Sequence, residues 1–424
     1  MGDLVADTRP LRNDHFRRLW IASIITMVGA QLTVVSVPAQ IYDISGSSAY
    51  VGLTGLFGLV PLVVFGLWGG ALADHFDRRT MMLVTTCGLI GTSGLFWLQA
   101  ALGNSNVWVL LGLFAVQQAF FAVNSPTRQA ILPKLLPAEQ LPAANSLSMT
   151  VFQAGAIGGP LVAGILIPVI GYEWLYLIDT VTLFATLSAV VRLPRLPVDN
   201  PTGSPGLRSV IEGFRYLRGH TVLLMSFVVD LIAMIFGMPR ALFPEIAHVS
   251  FDGPDEGGLV FALLFAAIPA GAVIGGVSSG WVSRVERQGY AVIVCILVWG
   301  AAMTGFGVAV ALADHWQQAM LVVALLMLVI GGAADMASAA FRTSMLQSAA
   351  DDSVRGRLQG IFIVVVAGGP RIADVVHGAS AAMVGTAAAA AGGGILVIVG
   401  TMVAAVAVPS FIRYRVTRTP TITQ

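Results

Sequence analysis

Residues 50–102 read YVGLTGLFGLVPLVVFGLWGGALADHFDRRTMMLVTTCGLIGTSGLFWLQAAL. An apolar run over 50–73 meets a short charged turn, Asp74-His75-Phe76-Asp77-Arg78-Arg79, and a second apolar run follows over 80–102. Crossing the hydrocarbon core of a bilayer takes about 20 apolar residues of helix. The stretch therefore predicts two membrane spans joined by a tight basic turn.

The same reading extends in both directions. Apolar runs of spanning length cover 16–42, 50–73, 80–102, 107–128, 144–169 and 173–192, then 221–245, 257–282, 290–312, 317–341, 358–383 and 391–412. Composition agrees, since 56% of the 424 residues are hydrophobic and 11% charged, against about 25% charged in an average globular protein. A water-soluble enzyme is excluded. The net charge of +1 gives no reason to expect nucleic acid as a partner.

Basic residues test the span count independently. With alternate loops on alternate sides, 21 of the 23 Lys and Arg fall on one side, Arg78, Arg79, Arg284 and Arg342 among them. The opposite loops carry Asp43, Glu173, Asp252, Asp255, Glu256 and Asp314 and no basic residue. An error of one span would scramble this pattern, so the positive-inside rule predicts twelve helices with both termini cytoplasmic. The two exceptions, Arg240 and Arg371, lie within spans.

The loops divide the chain into a six-helix bundle (1–192), a cytoplasmic linker (193–220), a second bundle (221–412) and a cytoplasmic tail (413–424). The linker begins Pro- and Gly-rich, and its second part, LRSVIEGFRYLRG, has apolar residues at helical spacing between arginines. That pattern suits a helix lying on the membrane face. An internal repeat agrees with the division: Gly70-Ala-Leu-Ala-Asp74 is matched 210 residues on by Gly280-Trp-Val-Ser-Arg284, and Gly159-Pro160 at the same offset by Gly369-Pro370. Two related halves are the plan of many secondary transporters.

Ionisable residues inside spans are costly unless paired or in contact with water, and so mark function. Asp230, Asp335, Arg371 and Asp374 are the candidates for proton coupling, with Arg371, Asp374 and His377 on one helix face and an i, i+3 pair expected between Arg371 and Asp374. Asp179, also intramembrane, reads as structural. Gln31, Gln117, Phe121, Asn124, Gln153, Phe261 and Phe265 are candidate substrate contacts, because phenyl rings with amide donors suit a bulky amphipathic ligand. Cys87 and Cys295 sit in apolar runs, and the six histidines show no metal-ligand spacing. No metal or cofactor is expected. Neither a nucleophile–base set nor a phosphate loop is present, so the chain does not read as an enzyme.

The segment Gly70-Ala71-Leu72-Ala73-Asp74-His75-Phe76-Asp77-Arg78-Arg79 resembles the signature between helices 2 and 3 of the major facilitator superfamily, with Asp77 where that signature has Gly. The resemblance implies a cytoplasmic latch made by Gly70, Asp74, Arg78 and Arg79. Gly155, Gly159, Pro160 and Gly164 resemble the antiporter motif of the superfamily's exporters. VPAQIYDISGSSAYVGLTG (37–55), IEGFRYL (211–217), FAAIPAGAVIGGVSSG (265–280) and TSMLQSAADDSVRGRLQGIF (343–362) resemble the enterobactin-exporter family. That likeness implies an all-α membrane protein with twelve transmembrane helices in two pseudo-symmetric six-helix bundles. It further implies a monomeric, proton-coupled exporter of a siderophore-like or amphipathic small molecule in the cytoplasmic (inner) membrane, the alternative being a multidrug efflux pump. Protons, the small-molecule substrate and the lipid bilayer are then its partners.

Overall fold

The computed structural model describes residues 7–73, 76–196, 215, 217–254, 257–349 and 352–415, which contain helices and no strand. The long helices are α1 (Asp14–Ser45), α2 (Ser48–Ala73), α3 (Arg78–Ala101) and α4 (Val107–Leu135). The run Leu141–Val191 leaves helical geometry at Gly171, whose φ of 77° is open to glycine, and so divides into α5 (141–170) and α6 (172–191). After these come α7 (Thr221–Gly237), α8 (Leu259–Val277), α9 (Gln288–Ala311), α10 (Gln317–Ala349), α11 (Asp352–Val384) and α12 (Thr386–Ala407). Ten helical runs among the described residues are long and apolar enough to cross a membrane, the 54-residue run Ala138–Val191 among them.

Polar residues set the ends of these helices. Asn13 caps α1 by accepting from the amides of His15 and Phe16, and the helix ends at Gly46 in the left-handed region, φ 60°. Asn106 starts α4 in the same way, through the amide of Trp108. Along the helices, large apolar side chains face outward: Val60, Trp108, Val169, Val322 and Val406 are all more than half exposed. In water such continuous apolar faces would be untenable. In lipid they are the ordinary surface.

The chain forms two compact units, one of Met1–Gly206 with Phe243–Ala266 and the other of Leu207–Leu242 with Ala267–Gln424. In the first, side-chain hydrogen bonds tie helices together as lipid-soluble proteins require. Thr26 of α1 meets Thr186 of α6 at 2.7 Å, and Gln40 of α1 accepts from Tyr176 of α6 and Gln99 of α3. The segment from 243 belongs to this unit. Glu245 accepts the backbone amide and hydroxyl of Ser48 at the start of α2, where a negative charge favours the helix dipole, and the amide of Gly258 donates to Gly164 of α5 at 2.8 Å.

In the second unit glycines bring backbones together. A Cβ at Gly271 or Gly275 of α8 would strike the backbone of α10 at Val329 or Ala333, and one at Gly332 of α10 would strike Ile268 of α8. Trp299 of α9 donates its indole N–H to the carbonyl of Ala233 on α7 at 3.2 Å. Two differences from the expected span limits bear on the intramembrane charges. The expected span 221–245 stops at Gly237 and continues as 3-10 and π turns through Ser250. The expected span 317–341 runs on to Ala349, which carries Arg342 from a loop into a helix.

Candidate functional site

That extension of α10 creates a buried charge cluster in the second unit. Asp335, Ser338 and Arg342 lie three and seven residues apart, on one helix face. Arg342 is 5% exposed; its Nη1 meets Asp230 of α7, its Nη2 is 3.9 Å from Asp335, and its Nε donates to the Ser338 carbonyl at 3.3 Å. Asp230 is sealed, whereas the Asp335 side chain is 27% exposed. Beside the ion pair lies a cavity of about 10 Å³ lined by Ser226, Phe227, Asp230, Arg342 and Leu346. That is space for one water.

A second cluster joins α11 to the turn after α7. Asp374, 5% exposed, accepts from Arg240 at 3.4 Å. The expected Arg371–Asp374 interaction is present as an electrostatic one, and Arg240 adds the hydrogen bond. Arg371 lies within electrostatic range of both Asp374 and Arg240, and Arg240, in the 3-10 turn that follows α7, supplies the hydrogen bond. His377 is buried, with Nε2 3.0 Å from the carbonyl of Phe236, tying α11 to the end of α7.

The first unit holds a different kind of buried acid. Asp179 of α6 accepts from the hydroxyls of Thr33 on α1 and Ser93 on α3, each at 2.7 Å, and so bridges three helices as a structural residue would.

The expected substrate residues scatter over the first unit. Phe121 is half exposed, Gln31, Gln117 and Gln153 are half-buried, and Asn124 is buried with its amide on the Thr85 and Thr86 hydroxyls. Phe261 and Phe265 do come together, with ring centroids 4.8 Å apart, and Phe243 meets Phe265 edge-on at 5.2 Å. Phe243 was not among the expected residues. An isolated Phe after a proline-bounded turn carries no sequence signal that would have found it.

The glycine motif of α5 is a close-packing face. A Cβ at Gly155 or Gly159 would meet Met27 or Gln31 of α1, and one at Gly164 would meet Ala262 of α8. Pro160 is buried in the same helix. Gly369 of α11, the repeat partner of Gly159, faces Met234 of α7 in the same manner.

At the basic turn, Gly70 lies in the last part of α2, and Asp74 lies outside the described residues. Arg78 donates to the Ala130 carbonyl of α4 at 3.0 Å and Arg79 to Val191 at the end of α6 at 2.6 Å. Asp77 replaces the glycine of the signature with a working cap, accepting the amides of Thr80 at 2.9 Å and Leu196 at 2.7 Å. Burial pushes its carboxyl up, but those N–H groups, the Thr80 hydroxyl and the charge of Arg79 hold it below the usual carboxylate value.

Solved structures share this fold. The chain is similar to a POT family transporter crystallised with 5-aminolevulinic acid (TM-score 0.73, 12% identity, 94% of this chain and 97% of that one). It is also similar to a D-xylose-proton symporter (TM-score 0.70, 14% identity, 92% and 97%). At such identities the likeness speaks for the fold, that of a multi-pass membrane transporter of the major facilitator type.

The family follows from sequence: residues 5–416 match the model described as transmembrane secretion effector, and the chain belongs to that family. It is 30% identical over 405 residues to the enterobactin exporter EntS of Shigella dysenteriae serotype 1, covering 93% of this chain and 92% of the relative. The same figures hold for EntS of Escherichia coli O1:K1. The chain is thus a transporter related to enterobactin exporters, and not an enzyme.

Proposed function

We propose that this transporter exports a siderophore-like, bulky amphipathic small molecule across the cytoplasmic membrane in exchange for protons. The observation that carries the reading is the match to enterobactin exporters over 93% of the chain. Two buried carboxylate–arginine clusters in the second unit support proton exchange, because intramembrane acids that are paired and partly accessible are the usual proton carriers. In this reading twelve spans form two six-helix bundles on either side of the 193–220 linker, both termini are cytoplasmic, and the working unit is a monomer. The bundles rock to expose the substrate alternately to each side.

Each candidate residue then has a role. Asp230, Asp335, Arg371 and Asp374 handle the proton. Gly70, Asp74, Arg78 and Arg79 latch the cytoplasmic side in the outward-open state. The Gly155, Gly159, Pro160 and Gly164 face seals packed helices against leak, and Gln31, Gln117, Phe121, Asn124, Gln153, Phe261 and Phe265 contact substrate. A multidrug efflux pump is the second reading, favoured by the cluster of Phe243, Phe261 and Phe265, which has no fixed charge among its rings.

Transport in inverted vesicles under an imposed proton gradient tests both readings. Enterobactin and a cationic dye are offered side by side. Gradient-driven movement of enterobactin is expected. Movement of the dye alone selects the multidrug reading, and movement of neither overturns export.

A further inference from the structure

Charge counting around Arg342 leads beyond the list of acids. Two carboxylates, Asp230 and Asp335, share one guanidinium, so the trio carries one negative charge when both acids are ionised. A net charge buried in a low-dielectric interior is costly, and one bound proton removes it. The three groups therefore form a unit that holds one exchangeable proton.

Geometry says which acid receives it. Asp230 is in direct contact with Arg342 and closed off, while Asp335 stands 3.9 Å from the second guanidinium nitrogen and is partly exposed. The acid nearest the cation is held ionised; the acid with access is free to take the proton. The one-water cavity lies against the Asp230–Arg342 pair, reached from Ser226, one helical turn before Asp230, and Leu346, one turn after Arg342. Asp335 is two turns away along α10 in the other direction. The remaining titratable group facing Asp335 among the described residues is Cys295 of α9; α8 contributes none, and on α11 Asp374 is engaged with Arg240.

We propose that Asp335 carries the exchanged proton and that Arg342, a positioning residue anchored by Asp230, decides when it is released. As Arg342 closes on Asp335, the carboxylic acid gives its proton to water and the resulting carboxylate pairs with the guanidinium. As Arg342 returns to Asp230, Asp335 takes a proton from water again. One proton moves per swing, and no other group changes its covalent state. This assignment rests on the proton-coupled reading above.

The test follows the C=O stretch of protonated carboxylic acids by infrared pH titration of the purified full-length protein, without substrate. Asp335→Asn removes one titrating band. Asp230→Asn removes the same band, because Asp335 is then the one acid left to Arg342, which keeps it ionised. The double variant Asp230→Asn with Arg342→Gln restores the band, because Asp335 then stands without a cation. A purely structural role for Arg342 predicts no restoration. Retention of the band in Asp230→Asn, or its absence from the double variant, overturns the proposal. Proteoliposome transport of enterobactin under a proton gradient separates the two claims: the infrared pattern without gradient-driven transport sinks the export reading alone, and coupled transport that survives Asp335→Asn sinks the proton assignment alone.

Discussion

The two units solve the same problem, a carboxylate inside a membrane protein, in different ways. In the first, Asp179 is met by two neutral hydroxyls from neighbouring helices, and among the described residues no arginine contacts it. In the second, Asp230 meets a guanidinium that also reaches toward Asp335. Hydroxyls satisfy an acid in either protonation state, since they can donate or accept. A guanidinium only donates, so it takes sides. The first arrangement is a fastener between helices, and in the second one guanidinium can favour either of two acids.

The sharpest way to break this contrast is Arg342→Ala, which leaves Asp230 buried with no counter-ion. A loss of about 3–5 kcal/mol is expected, read as a large fall in the thermal midpoint in detergent, with Asp230→Asn in the same chain recovering part of it. A change too small to measure would mean the pair is not sealed. Asp179→Ala comes next, at about 1–3 kcal/mol, because it orphans the Thr33 and Ser93 hydroxyls. Asp179→Asn keeps an acceptor for them and is expected to cost less than half as much; equal losses would show that Asp179 is needed as a charge.

Where water solvates the chain, effects shrink. Asp77→Ala removes the cap of α3 and is expected to cost about 1 kcal/mol. Its carboxyl is held below the unfolded value of about 3.9, so its contribution is complete above that value and disappears as pH falls through the lower folded one. Asp77→Asn should keep most of the cap and lose that acid dependence, which a pair of denaturation curves at neutral and acid pH would reveal. The smallest effect belongs to Arg240→Gln. Arg240 is 36% exposed and 3.4 Å from the buried Asp374, which keeps Arg371 as a second cation within range, so the loss should stay below about 1 kcal/mol, and a larger one would put this pair in the class of Asp230 and Arg342.

Legibility followed the kind of information each feature carries. The break between α5 and α6 was legible as the gap between the runs 144–169 and 173–192, because apolar runs must end where the bilayer ends, and the structure puts the turn at Gly171, which adopts positive φ. Asp179 was legible as a structural acid, though Thr33 and Ser93, 146 and 86 residues away in sequence, were not legible as its partners. Arg342 was counted among the loop arginines because a charge one residue past an apolar run reads as a span end. The helix carried it inside because Asp230 waits there, on a helix 112 residues earlier. For Asp374 the local partner Arg371 was legible, and Arg240, 134 residues earlier in the chain, was not.

Sequence alone determined the membrane character, the helical class and the family, since these depend on composition, run length and local motifs, and no long-range contact is needed to read them. Tertiary structure decided which acid meets which base. Opposite charges buried in a low-dielectric interior attract whatever lies in reach, and reach is set by how helices far apart in the chain pack side by side.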